Sequence, residues 1–214
     1  MTPHFAAAVD PVFLHVLGVL DRISRNEAPD AREERELIKN WLRNAESQLG
    51  QKSDWELAKY ALVSWIDDVF IDAPWEGRTW WRENALEVEL FKTRDRATTF
   101  YTKAKEAAKL TRRDALEVFY VCVVLGFRGL YREKESAFLA DQLNLPATLE
   151  SWAGQTSKSI ELGQGRPRID PTSRPGNGAP PLDGKFSLMG VSLMSVILTA
   201  ASAISGYLLF FHKW

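Results

Sequence analysis

The chain has 214 residues, with 27 basic and 28 acidic side chains for a net charge of −1. A single cysteine excludes an internal disulfide or a cysteine-rich zinc cluster, and the three scattered histidines (His4, His15, His212) show no metal-ligand spacing. Residues 1–162 hold 22 basic against 26 acidic side chains, a mildly acidic body that argues against nucleic acid as a partner.

The predicted elements are helices throughout, because no stretch sustains the two-residue alternation of a sheet. The N-terminal FAAAVDPVFLHVLGVL has no preceding basic region, contains Asp10 and lacks a small-residue cleavage site, so it reads as an amphipathic first helix and not as a secretory signal. From Asp10 to Arg25 one stripe carries Val12, Val16, Val19 and Ile23, and another carries Phe13, Leu17 and Leu20. Ala31–Leu49 is a charged helix that places Leu37, Ile38, Trp41, Leu42 and Ala45 on its buried side. Ser53-Asp54-Trp55-Glu56 has the pattern of a capping box and opens a third helix to about Ile71, beyond which Pro74 blocks continuation. Further helices are expected over 77–92, 95–109, 113–130, 132–142 and 146–160.

The third helix is apolar nearly all round, yet its last turns carry Asp67 and Asp68 side by side. Carboxylates there face the negative end of the helix dipole and need compensation from outside. Arg78, Arg82 and Arg128 are candidates within the chain, and a basic surface on a partner is the other. Three roles follow: a structural ion pair, an acidic edge that binds a partner, or a catalytic acid and base. Neighbouring helix positions point about 100° apart, so the two carboxyls would not converge on one reacting atom. Trp75, Trp80 and Trp81 come next and read as core, with Trp75 pinning the loop after the acidic pair. Cys122, inside YVCVVLG, reads as a small buried hydrophobe, since no neighbour would activate a thiolate. The segment ALEVFYVCVVLGFRGLYRE ends with Gly126 and Gly129 around Phe127 and Arg128, a pattern for close packing or a tight turn. There Arg128 is expected beside a buried surface with Asp67, Asp68 or Glu117 as its partner.

After Gly163 the composition changes. Residues 163–185 are rich in glycine and proline and form a linker that carries Arg166, Arg168, Arg174 and Lys185. Residues 186–211 contain no charged side chain, a helix of about 39 Å against a hydrocarbon core of about 30 Å. A long buried core helix is the bland alternative to a membrane span. The cations before the span outnumber the lone Lys213 after it, which puts the N-terminal body in the cytoplasm and residues 212–214 in the periplasm. The basic linker also suits lipid headgroups. Small residues at Ser195, Thr199, Ser202 and Gly206 share one side and are candidates for a homodimer through the membrane helix.

The sequence resembles the DotU/TssL (IcmH) family. The resemblance rests on the acidic pair in YALVSWIDDVFIDAPW, on LEVFYVCVVLGFRGLYRE, and on a Gly/Pro linker leading to a terminal span, and it covers essentially the whole chain. It implies an all-α cytoplasmic domain over 1–162, with two small helical bundles in a hook, and one C-terminal transmembrane helix. It implies no catalysis and no cofactor. Its partners would be an inner-membrane TssM/IcmF-like protein and cytoplasmic baseplate proteins of a type VI secretion system, or their counterparts in a type IVB system. The family's Asp-Glu pair is Asp67-Asp68 here, and its LGF-x-G-x-Y-R pattern falls on Leu125, Gly126, Phe127, Gly129, Tyr131 and Arg132. Some members carry a peptidoglycan-binding domain beyond the span, whereas here three residues follow it, so cell-wall attachment would come from a partner.

Overall fold

A computed structural model describes residues 1–132 and 136–164, together with positions 194, 195, 198–200, 202 and 204. In chain order the helices are α1 (Pro3–Ser24), α2 (Ala31–Leu49), α3 (Ser53–Asp72), α4 (Arg78–Glu83), α5 (Leu86–Phe91), α6 (Arg96–Ala107), α7 (Asp114–Val124), α8 (Ser136–Gln142) and α9 (Leu149–Gln164), with a 3-10 turn at Gly129–Arg132. No strand occurs among the described residues.

The apolar character of α3 places it at the centre. Thirteen of its residues are buried, including Trp55, Tyr60, Trp65 and Phe70, so it needs neighbours on every side. It packs against α7 most extensively and also against α2, α4, α5 and α6, while α1 pairs with α2 and α9 lies on α7. The resemblance implies two bundles. Met1–Pro167 forms one compact unit, within which α3 contacts most of the other helices, and Arg168–Trp214 forms a second unit.

Several expectations change at the residue level. α1 starts at Pro3, two residues before the stretch read as the first helix, with proline in the first turn where its missing N–H costs nothing. The capping box does not form, because α3 begins at Ser53 itself. Lys52 is the residue outside the helix, and the Ser53 hydroxyl makes no capping bond. The helix expected over 77–92 is broken into α4 and α5 at Asn84 and Ala85, whose backbones leave the helical region. On α2, Ile38, Leu42 and Ala45 are buried as the periodicity predicts, but Leu37 and Trp41 stand 39% and 37% exposed, and Leu17 on α1 is 37% exposed.

Among the described residues only α1 is long and apolar enough to cross a membrane. Its stripe of Phe5, Val9, Val12, Phe13, Val16 and Val19 is buried within the body, as an amphipathic core helix requires. Most of 186–211, Gly206 included, lies outside the described residues, as does all of 212–214. Ser195, Thr199 and Ser202 are helical and exposed, and the Thr199 hydroxyl bonds back to the Ser195 carbonyl at 3.0 Å.

Candidate functional site: the buried acidic pair

Asp67 and Asp68 enter the core with α3 and are 0% and 8% exposed. Asp67 has three donors. Its Oδ1 accepts from the Trp81 indole N–H at 3.0 Å and from the Leu86 amide at 2.9 Å, and its Oδ2 accepts from the Glu87 amide at 2.8 Å. Leu86 and Glu87 are the first two residues of α5, whose amides have no partner within that helix. Asp67 therefore caps α5 from a distance and sits at the positive end of its dipole. This also explains the break at Asn84: a continuous helix would need those amides for itself.

Asp68 meets cations. Its Oδ2 accepts from Arg132 Nη2 at 2.9 Å and lies 3.5 Å from the Arg128 amide, and its Oδ1 lies 3.9 Å from Arg96 Nε. Arg132 also pairs with Asp72 one turn further along α3. Arg96 reaches across to Glu87 at 3.7 Å, and the other Glu87 oxygen accepts from the Tyr60 and Thr93 hydroxyls at 2.9 and 2.7 Å. Burial pushes both aspartates above the ordinary carboxylate range. The Glu87 and Leu86 amides and the Trp81 indole oppose that rise at Asp67, and the Arg132 guanidinium opposes it at Asp68.

The expected acidic edge is therefore corrected. The pair is enclosed, and its oxygens are held by donors from α4, α5, α6 and the 3-10 turn. The compensating cations are Arg132 and Arg96, not Arg78 or Arg82. The Arg128 side chain is exposed, and what Arg128 offers inward is backbone: its amide toward Asp68, and its carbonyl, which accepts from the Tyr101 hydroxyl at 2.7 Å.

The glycine-containing segment builds the other half of this centre. The Phe127 amide donates to the Cys122 carbonyl and the Gly126 amide to the Val123 carbonyl, a Schellman ending for α7 with Gly126 at φ +110°. The Leu125 carbonyl accepts from the Trp65 indole at 3.3 Å. Phe127 is buried and stacks on Phe100 with ring centroids 3.9 Å apart. Gly129, at φ +52°, passes so close that an added Cβ would lie 2.8 Å from the Phe127 ring and 2.9 Å from the Ala97 carbonyl. Tyr131 donates to the Pro146 carbonyl at 2.6 Å. Trp75 closes the loop after α3 by donating to the Phe70 carbonyl at 2.8 Å, with its ring against Phe70 and Trp81.

Glu87, Arg96, Tyr101 and Trp81 complete the network, and sequence reasoning passed over the first three. One signal was available for Glu87: in Leu86-Glu87-Val88-Glu89-Leu90 it follows directly on an inward leucine in a helix too short to have a fully solvated face. No group of His, Cys, Asp or Glu among the described residues is arranged to hold a metal ion. Cys122 is fully buried against the Ala61 carbonyl, and its thiol is pushed well up by that burial.

The most conspicuous carboxylates of this all-helical body join its own helices. The chain belongs to the family of the type VI secretion system protein DotU, which it matches over residues 4–214. Among solved structures it is similar to the cytoplasmic domain of TssL from Acinetobacter baumannii. The TM-score is 0.58 at 22% identity, over 74% of this chain and 98% of that one, a likeness of fold. No curated protein matches the chain significantly.

Proposed function

We propose that the protein is a tail-anchored structural subunit of the membrane complex of a bacterial type VI secretion system. The observation that carries this reading is the extent of the family match. It runs from the helical body through the uncharged stretch 186–211 to residue 214, so body and anchor belong to one pattern. In this reading the body lies in the cytoplasm and docks baseplate proteins. The span joins a TssM/IcmF-like partner in the inner membrane, and residues 212–214 reach the periplasm. Ser195, Thr199, Ser202 and Gly206 offer a face on which two spans can approach. The full burial of Asp67, with both oxygens bonded within its own chain, supports a scaffold over an enzyme, since no reactant can reach it as a base. A type IVB subunit is the nearest alternative within the same family.

Membrane fractionation tests the anchor. The full chain is expected to stay in the membrane pellet through an alkaline carbonate wash, and a chain ending at residue 185 to become soluble. Protease is expected to digest the body in inverted vesicles and to leave it intact in spheroplasts. Extraction of the full chain by carbonate, or digestion of the body from outside spheroplasts, would overturn the assignment. Co-purification of sheath-baseplate components with the full chain separates the type VI reading from the type IVB one.

A further inference from the structure

Seven large hydrophobic side chains of the described body are exposed: Leu14, Leu17, Leu37, Trp41, Val124, Phe138 and Leu162. Four of them lie on the single helical hairpin α1–α2. Leu14 is 68% exposed, and Leu37 and Trp41 stand one turn apart on α2. Between the two helices runs a groove of about 720 Å³, with Leu14 and Leu37 on its sides. Gly18 opens its floor, since a Cβ added there would meet nothing within 4 Å. A clustered apolar face of this kind marks an interaction site, whereas leucines exposed singly do not.

The charges around the groove choose the occupant. Asp30 and Glu33 stand at its α2 edge, exposed, and neither is paired with a cation of the groove. The one arginine inside, Arg22, is matched by the buried Glu34, which also meets His15 at 3.0 Å. On α2, Arg32 lies over the Trp80 ring, Arg35 and Lys39 reach Glu89 at 2.6 and 2.8 Å, and Arg43 bonds to Asn40, so none of the four lines the groove. The groove thus mixes apolar walls with polar and charged side chains, and its α2 rim is acidic. A second copy of this chain would set acid against acid, and anionic headgroups would be repelled in the same way. Two helices side by side present ridges that a third helix completes, and no open strand edge among the described residues offers an alternative.

We propose that the α1–α2 groove is the docking site for an amphipathic helix of a partner protein. That helix would carry apolar residues at helical spacing to fill the space beside Leu14, Leu37 and Trp41, and lysine or arginine on its flanks to meet Asp30 and Glu33. Trp41 is large and half withdrawn from water, and its ring lies 6.5 Å from that of the groove residue His15, so it extends the contact beyond Leu37. The inference rests on the scaffold reading only in that a docking body needs a docking face. It concerns this hairpin alone, so failure of the membrane anchor in fractionation would leave it standing.

The test places p-benzoylphenylalanine at Asn44, an exposed position one turn from Trp41, in the full chain in its native bacterium. The same probe at Phe138 serves as the control. After irradiation, the cross-linked peptide is sequenced by mass spectrometry. The expected adduct is a lysine- or arginine-rich segment with apolar residues at three- and four-residue spacing, enriched at Asn44 over Phe138. It should fall at least tenfold in Gly18→Met, which fills the groove, and in Glu33→Lys, and persist in Gly18→Ala. Gly18 touches nothing and lies within a helix, so both substitutions there should leave the melting temperature unchanged or raised. An adduct to this chain itself, to lipid, or to an acidic or irregular segment would overturn the proposal. So would no enrichment over Phe138, or an adduct indifferent to Gly18→Met in a folded protein.

Discussion

Two regions of this protein break the usual distribution of polar and apolar residues, in opposite directions. Around Asp67 and Asp68, charged groups sit inside; along α1–α2, leucines and a tryptophan sit outside. The buried carboxylates have their partners within the chain: the amides of α5, the Trp81 indole, Arg132 and Arg96. Of the exposed apolar residues, Leu14 and Leu37 border an open groove, and Trp41 lies beside its His15. A polar group satisfied at home is part of the architecture, and an apolar group left open is turned toward something else. The acidic pair, most conspicuous in the sequence, is therefore structural, and the outward-facing surface is one that the sequence assigns to the core.

Substitutions can break or sharpen that contrast. The largest effect is expected from Asp67→Ala, which leaves three buried donors without an acceptor and should cost about 3 kcal/mol or more. Thermal denaturation of the detergent-solubilised full chain would show it, and a loss below about 1 kcal/mol would mean that the carboxylate is not structural. Gly129→Ala forces a side chain into a left-handed backbone against Phe127 and the Ala97 carbonyl, for about 2 kcal/mol by the same measurement. Arg132→Gln leaves Asp68 with the more distant Arg96. Because the Arg132 side chain is 39% exposed, solvent screening limits the loss to about 1 kcal/mol.

A smaller effect separates buried from surface charge. Lys39 and Arg35 hold Glu89 down to about 2, from an ordinary value of 4.5. Its charge therefore stabilises the fold above the ordinary value, and that contribution disappears as pH falls from 4.5 toward 2. Asp67 and Asp68, raised by burial, run the other way, and acid relieves the cost of their ionisation. The stability difference between wild type and Glu89→Gln, measured by urea denaturation across this range, should shrink with acidification from at most about 1 kcal/mol at neutral pH. The smallest change is expected for Leu37→Ser: within about 0.5 kcal/mol, because the side chain packs little of the core. A loss above 2 kcal/mol there would place Leu37 in the core and remove it from the groove.

Much of the fold was legible because periodicity and helix breakers act locally. The bounds of α2, the end of α3 before Pro74 and the burial of Ile38, Leu42 and Cys122 all follow from neighbours in sequence. What was not legible depends on partners far along the chain. The division of α4 from α5 rests on a carboxylate 19 and 20 residues earlier. The choice of Arg132 over Arg128 depends on the turn made by Gly126 and Gly129, which sends one side chain inward and the other out. Leu37 and Trp41 fit the buried stripe of α2 by spacing, and only the width of α1 beside them decides that the stripe is wider than its cover. At Asp67 and Asp68 the need for compensation was readable from the helix dipole, but the identity of the donors was not.

Cys122 gives the molecule a built-in clock. Its sulfur lies wholly within the α3–α7 contact, facing the Ala61 carbonyl, and it is the only thiol in the chain. A disulfide reagent can reach it only when those two helices part, so the rate of labelling counts openings of the central helix pair in the unaltered protein. Compared with and without an added protein, that rate reports how much binding would steady the body, without a dye, a tag or an introduced cysteine.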